Sequence, residues 1–328
     1  MNGDFLSAQV HSDAEWLAAA AALASRARPL SRPNPAVGAI VVKDGIVVGR
    51  GWTQAGGRPH AEAVALAMAG QAARGATLYV TLEPCAHESG RGPACADLAA
   101  QAGIARVVAA VRDPDPRTAG AGFERIVSTG AASALIQSLA AEASLAGYLV
   151  RQRLGRPYVT LKLALSLDGC IALASGESRW ITGPEARAHG HLERARSDAI
   201  LVGGGTLRAD APQLDVRLPG LEGRSPERWV MTKGEAPKGW KALPSTDLTP
   251  LGDVQYLLVE GGAHAAAAFL AADLVDRLLV YRAPIVLGGG LPGVADIGLT
   301  GLAGAHGRWR QRDSRRLGND RLEVYDRT

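Results

Sequence analysis

Residues 76–111, ATLYVTLEPCAHESGRGPACADLAAQAGIARVVAAV, hold the pattern from which the architecture of the first half follows. ATLYVTL (76–82) suits a strand, and ARVVAAV (105–111) reads the same way. Between them, residues 94–102 favour a helix that Gly103 ends. Strand, helix and strand in that order imply a right-handed crossover between parallel strands. The link from the first strand to the helix carries Cys85 and Cys95, two of the chain's three cysteines.

Upstream, Ser12-Asp13-Ala14-Glu15 fits a capping box and predicts a helix to about Ala27, stopped by Pro29. AVGAIVV and IVVGRGW flank Asp44-Gly45, a two-residue hairpin signal. Another helix is expected over roughly His60 to Ala69, and the whole predicts a mainly parallel sheet covered by helices. Downstream, YLVRQRLGRPYVT (148–160) is charge-rich between apolar segments, which gives domains 1–152 and 153–328. The alternation then restarts. YVTLKLALSLDG and SDAILVGGGT read as strands, VQYLLVEGGAHAAAAFLAADL as strand, glycine turn and helix, and DRLLVYRAPIVLGGG as a strand pair or one long strand. Residues 220–252, rich in Pro, Gly and charge, give the least pattern.

A length of 328 residues exceeds one small core and agrees with two domains. The net charge of +4 is mild. Its densest cluster, RWRQRDSRR (308–316), reads as solvated surface in preference to a nucleic-acid site. MNGDFLSAQVHSDAEW lacks the basic-then-apolar pattern of a secretion signal, and cysteines are few, so a reducing, cytoplasmic setting is expected. No apolar run approaches the roughly 18 to 20 residues of a membrane span.

Cys85 and Cys95 admit three readings: a disulfide, buried core thiols, or metal ligands. A reducing compartment argues against the first, and buried free cysteine is common enough to keep the second. For the third, zinc at a catalytic site takes three protein ligands and leaves one position for water, and His60 could complete such a set. Residues two apart on a regular helix point about 200° away from one another. His60 and Glu62 therefore share a site only if it faces the open helix end. A helix starting near Cys95 would lower its thiol pKa. Glu62 would then move a proton from the activated water to a leaving amine. His-x-Glu followed by Pro-Cys-x-x-Cys is the signature of zinc nucleobase deaminases. Here His60-Ala61-Glu62 and Pro84-Cys85 are present, but the next cysteine comes ten positions later.

RPNPAVGAIVVKDG (32–45), PHAEAVAL (59–66) and TLEPCAHESGRGPAC (81–95) together resemble the deaminase domain of the bifunctional riboflavin-biosynthesis deaminase–reductase family. That family widens the cysteine spacing with such an insert, usually one residue shorter. The resemblance implies that His60, Cys85 and Cys95 bind one Zn2+ per deaminase domain and that Glu62 is the catalytic proton shuttle. Asn34 would help hold the pyrimidine, although a turn asparagine between prolines is physically adequate alone.

LKLALSLDGCIALASGESRWITGPEARAHGHLERARSDAILVGGGTLRADAPQLDVR (161–217) and residues 259–290 resemble the reductase domain of the same family. The implied fold is α/β in two domains: an N-terminal cytidine-deaminase-like three-layer α/β/α domain and a C-terminal dihydrofolate-reductase-like domain. LVGGGT and VEGGAHAAAAFL match no dinucleotide fingerprint, and turn glycines are their default reading. With the resemblance, Ala164, Trp180, Thr206, Asp210, Gly261, Gly262 and Ala263 match residues near NADPH. Ser178, Arg194, Leu214, Arg217 and Glu260 match residues around the substrate. Paired guanidinium donors on Arg194 and Arg217 suit a sugar phosphate. Lys162 and Asp210 are candidate catalytic residues, since a lysine inside an apolar strand is costly without a partner or ligand. Trp180 suits a core anchor equally well. Cys170 stands where Arg or Lys is expected. The segment between Arg217 and Val259 is short against the family by roughly a strand and a helix.

The expected activity is zinc-dependent hydrolytic deamination of 2,5-diamino-6-ribosylamino-4(3H)-pyrimidinone 5′-phosphate, then NADPH-dependent reduction of ribosyl to ribityl. The expected partner is that phosphorylated pyrimidine, with no nucleic acid or membrane, in a homo-oligomer (dimer or tetramer). The rivals are a deaminase whose second domain has lost reductase activity and a nucleic-acid deaminase. The latter expects the shorter cysteine spacing and needs no nicotinamide domain.

Overall fold

Ser12 caps the first helix, α1 (Asp13–Ala24): its hydroxyl accepts from the Glu15 N–H, and the Glu15 carboxylate accepts from the Ser12 N–H at 2.7 Å. The computed structural model describes residues 11–87, 90–115 and 118–328, divided into two units, Met1–Arg153 and Leu154–Thr328. The N-terminal ten residues, read above for a secretion signal, and part of the cysteine loop (88–89) lie outside the described residues. α1 ends at Ala24, short of the expected Ala27, and turns carry the chain on towards Asn34.

β1 (Gly38–Lys43) and β2 (Ile46–Trp52) form the expected hairpin. Asp44 and Gly45, at φ 51° and 76°, take the left-handed conformations that a two-residue turn requires. Then come α2 (Ala61–Ala69), β3 (Thr77–Leu82), α3 (Cys95–Gln101) and β4 (Arg106–Val111). α4 (Ala121–Val127), β5 (Ala132–Leu135) and α5 (Leu139–Ser144) follow in residues for which no element was expected, and α6 (Ala146–Leu154) runs into the stretch read above as the domain boundary.

The sheet order is β2-β1-β3-β4-β5. β3, β4 and β5 are parallel, but β1 is antiparallel to both of its neighbours, so this sheet is mixed where a mainly parallel one was expected. The tight hairpin reverses the chain, and the β2–α2–β3 crossover steps over β1 to reach the next position. Gly38 lies so close to α1 that a Cβ would collide with the Ala20 carbonyl, and Gly51 stands likewise against Ala61 of α2. Gly38 pairs with Trp52 and Gly51 with Ala39, so the two glycines face opposite ways. α1 and α2 therefore cover opposite faces, giving three layers around a core that includes Leu17, Leu78, Val80, Val107 and Ile126.

The second unit holds β6 (Tyr158–Leu165), β7 (Cys170–Ala172), α7 (Pro184–Ala195), β8 (Ala199–Gly203), α8 (Gly204–Asp210), β9 (Glu227–Met231) and β10 (Lys241–Leu243). β11 (Tyr256–Glu260), α9 (Ala263–Ala271), β12 (Arg277–Arg282), β13 (Leu291–Pro292), β14 (Trp309–Leu317) and β15 (Asp320–Arg327) complete it. The main sheet runs β10-β9-β8-β11-β6-β12-β15-β14. β10 through β12 are parallel, and the β14–β15 hairpin closes one edge. The basic run 308–316 is largely this edge strand, with most of its side chains exposed.

β6 alternates strictly: Val159, Leu161, Leu163 and Leu165 enter the core, which leaves Lys162 and Ala164 on the opposite face. DRLLVYRAPIVLGGG contributes one strand to the main sheet, β12. The short segment after Arg217 supplies two strands, β9 and β10, and their connection, 232–240, contains no helix. No helix is long and apolar enough to cross a membrane among the described residues.

Candidate active sites in the two units

His60 is the N-cap of α2, in extended conformation, so it escapes the helical geometry that would turn it away from Glu62. Cys85 follows the end of β3, and Cys95 is the first residue of α3. All three cysteines are free, which removes the disulfide reading. His60 Nδ1 lies 3.3 Å from Cys95 Sγ and 3.6 Å from Cys85 Sγ, and the three donor atoms lie within 4.8 Å of one another. A tetrahedral zinc with bonds of about 2.3 Å to sulfur and 2.0–2.1 Å to nitrogen has sulfur–nitrogen edges of about 3.6 Å. The residues present fit zinc in both chemistry and spacing.

The other ring nitrogen, Nε2, meets the side-chain amide of Asn34 at 3.3 Å, and that amide also donates to the Gly57 carbonyl at 3.3 Å. Asn34 thus reaches the site through the back of the His60 ring. An imidazole bound to metal through Nδ1 donates from Nε2, so this contact orients the ring when the Asn34 side-chain oxygen faces it.

The two thiols are not equivalent. Cys85 is pulled well below the usual thiol range by its hydrogen bond from Cys95, helped by His60, while Cys95 is pushed up by the same bond and by burial. This reverses the sequence expectation for Cys95. The backbone N–H of Cys95 points at Cys85 Sγ (3.4 Å), so the helix start favours charge on Cys85. For His60, burial favours the neutral ring, but the Cys85 hydrogen bond and the Glu62 charge outweigh it and raise the pKa.

Glu62 is 4% exposed, and burial pushes its carboxyl up to about 7. A carboxyl with a pKa near neutrality can both take and return a proton. Beside these groups a cavity of about 350 Å3 is lined by Arg58, Pro59, His60, Ala63, Arg91 and Cys95, among others. Arg58 and Arg91 were missed in the sequence. The signal was a base within the insert between the cysteines and another two residues before His60.

In the second unit, Lys162 on β6 sits in register with Glu260 at the end of β11, and Lys162 Nζ is 3.8 Å from its carboxylate. Arg194 of α7 meets Glu260 through Nε (2.7 Å) and Nη2 (2.9 Å), and its Nη1 donates to the Asp215 carbonyl (3.0 Å). Glu260 is held down to about 2: burial pushes it up, and Lys162 and Arg194 outweigh that. Arg217 is exposed and lies beside His191. Leu214 is buried against Ile200, Val202 and Leu258.

The glycine turns after β8 and β11 stand side by side, because these strands pair in parallel. The Gly262 N–H donates to Thr206 Oγ1 at 3.0 Å, and a Cβ at Gly262 would press on that oxygen. Paired glycine turns at the carboxyl ends of adjacent parallel strands fit a nucleotide cofactor. Ala164 lies two residues beyond Lys162 on the same face. Asp210 ends α8, and its carbonyl accepts from Arg179 at 2.6 Å. Ser178 and Trp180 lie in the loop between β7 and α7. Trp180 is 65% exposed under the Arg187 guanidinium, so it is not a core anchor. Cys170 is buried on β7, within the second unit.

The cytidine and deoxycytidylate deaminase zinc-binding region, as a family model, matches residues 10–111, and the RibD C-terminal domain matches 157–247 and 247–322. The riboflavin biosynthesis protein RibD of Escherichia coli (strain K12) is 40% identical over 360 aligned residues, spanning 94% of this chain and 97% of that protein. Its counterpart in Haemophilus influenzae is 37% identical over 362 residues, spanning 95% and 97%. Among solved structures, Acinetobacter baumannii RibD, form 1, matches with a TM-score of 0.84 at 35% identity, covering 96% of this chain and 99% of that one. A diaminohydroxyphosphoribosylaminopyrimidine deaminase/5-amino-6-(5-phosphoribosylamino)uracil reductase from Thermotoga maritima gives 0.84 at 30% identity, with the same coverage.

Proposed function

The chain belongs to the RibD family of bifunctional riboflavin-biosynthesis enzymes, and on that premise we propose how its two units divide the work. It is a deaminase and a reductase of that pathway, with a zinc-binding deaminase domain. The first unit would carry the deamination of 2,5-diamino-6-ribosylamino-4(3H)-pyrimidinone 5′-phosphate, and the second the reduction of its ribosyl chain.

In the deaminase unit His60, Cys85 and Cys95 would hold zinc through Nδ1 and two sulfurs. When bound, zinc supplies a Lewis acid that lowers the pKa of a water molecule. Glu62 takes a proton from that water and delivers it to the departing exocyclic nitrogen, so that water and the C–NH2 group become a ring carbonyl and ammonia. Burial supports this role, because it places the carboxyl near neutrality. Asn34, 3.3 Å from His60 Nε2, would help hold the pyrimidine. Arg58 and Arg91 line the adjoining cavity, and two guanidiniums suit the 5′-phosphate.

In the reductase unit NADPH would lie along the glycine turns, against Thr206, Asp210, Gly261, Gly262, Ala263, Ala164 and the exposed ring of Trp180. When bound, NADPH supplies a hydride. Ser178, Leu214 and Arg217 would border the substrate. Glu260 holds Arg194 and orients Lys162, whose ammonium is the charged group left to face the sugar. The observation that carries the reading is the convergence of His60, Cys85 and Cys95 beside buried Glu62. Metal content measured together with ammonia release from the pyrimidine substrate tests it. A homo-oligomer is the proposed assembly.

A further inference from the structure

The two proposed sulfur ligands sit on separate elements, a turn bearing Cys85 and a helix bearing Cys95, and α4 grips both. Glu83, 3% exposed, accepts backbone N–H bonds from Gly120 (3.1 Å) and Phe123 (3.3 Å), around the start of α4, and from Asp113 (3.3 Å). Gly122 of α4 lies so close to Pro84 that a Cβ would collide with its carbonyl oxygen. Further along the helix, Arg125 Nη1 donates to the Ala86 carbonyl (2.9 Å) and to Asp97 Oδ2 (3.1 Å). These contacts fall on residues 83, 84 and 86, to either side of Cys85, and on Asp97, two residues after Cys95. One guanidinium nitrogen therefore ties the Cys85 turn to the Cys95 helix.

Fold stability is a poor explanation for the Arg125–Asp97 pair. Both side chains are more than a third exposed (38% and 35%), and such pairs contribute little on average. The turn and the helix also meet directly, the Ala96 N–H donating to the Cys85 carbonyl at 3.1 Å, and Arg125 adds a second tie between them. A tetrahedral metal tolerates little error in donor spacing, and groups that orient the ligating side chains tune affinity without touching the ion.

We propose that Arg125 is a positioning residue for the metal site: by bridging Ala86 and Asp97 it helps set the Cys85–Cys95 separation and so the tenacity of zinc binding. The proposal rests on the zinc reading above. Arg125 neither supplies a ligand nor moves a proton. Its effect reaches the chemistry only through the two sulfurs.

The test uses the full-length, zinc-loaded protein. Zinc release to a chromogenic chelator is timed, the absorption bands of the cobalt(II)-substituted protein are recorded, and the thermal midpoint of each variant is measured alongside. Arg125→Ala should release zinc about tenfold faster than wild type and shift the cobalt–thiolate bands. Arg125→Lys, whose ammonium cannot span both partners as well, should fall between, and Asp97→Asn should also release faster. Release at the wild-type rate with unchanged cobalt bands would overturn the proposal, even if the midpoint drops. If Arg125→Ala does not fold, the same two outcomes are read from Arg125→Lys and Asp97→Asn. A wild-type protein that takes up no zinc contradicts the zinc reading itself. One bound zinc with indifferent variants contradicts only the role of Arg125.

Discussion

Arg194 and Glu260 meet fork to fork, Nε to Oε1 at 2.7 Å and Nη2 to Oε2 at 2.9 Å, with side chains only 15% and 11% exposed. The guanidinium expected from sequence to take a sugar phosphate is thus engaged by a carboxylate and the Asp215 carbonyl. Removing Glu260 leaves the largely buried Arg194 charge without its carboxylate, a costly change, whereas Glu260 without Arg194 still has Lys162 at 3.8 Å.

The pair makes stability depend on pH. The folded pKa of Glu260, about 2, lies below the unfolded value of about 4.3. Its contribution is therefore present above the unfolded pKa and is lost as pH falls from there through the folded one. Thermal unfolding followed from about pH 6 to about pH 3 should show an acid decline that is shallower in Glu260→Gln. Identical acid slopes in the two proteins would contradict the assignment.

Glu62→Gln should retain zinc and lose ammonia release by about 10²- to 10⁴-fold, the usual scale of general acid–base catalysis. Metal analysis beside an ammonia assay reads both quantities. Deamination near the wild-type rate would remove Glu62 from the proton path.

Cys95→Ser should take up much less than stoichiometric zinc, because a thiolate ligand is replaced by a neutral hydroxyl, a poor donor to zinc. Full zinc occupancy in this variant would take Cys95 out of the site.

Arg91→Gln should raise KM for the phosphorylated pyrimidine by about tenfold, as loss of a charged hydrogen bond does, with kcat little changed. The dephosphorylated analogue should be nearly indifferent to the substitution. Equal effects on both substrates would place the phosphate elsewhere.

The sequence made the local pieces readable. The Ser12–Glu15 capping box, the Asp44-Gly45 turn and the strand–helix–strand run from 76 to 111 are short-range signals, and each forms the element it encodes. The place of β1, between β2 and β3, was not readable. It depends on the β2–α2–β3 link stepping over a strand already laid down, which no local pattern records. At the metal site the residue types and motif spacing brought out His60, Cys85 and Cys95, but not the distribution of charge between the thiols. That distribution turns on where the Cys95 N–H points. The pairing of Arg194 was equally hidden: Glu260 lies 66 positions away, on a strand. Arg58 and Arg91 were passed over in the sequence, and only the fold places both beside His60.

The two-step account is tested most directly by supplying the zinc-loaded protein with the diaminopyrimidine ribosyl 5′-phosphate and NADPH, and following ammonia release and NADPH oxidation in one reaction. The account predicts that ammonia appears first and that NADPH oxidation follows in equal final amount. Glu62→Gln should abolish both, until pre-deaminated substrate restores the second. Ammonia release without any NADPH oxidation would reduce the second unit to a binding domain. No ammonia from a protein carrying its zinc would contradict the account at its centre.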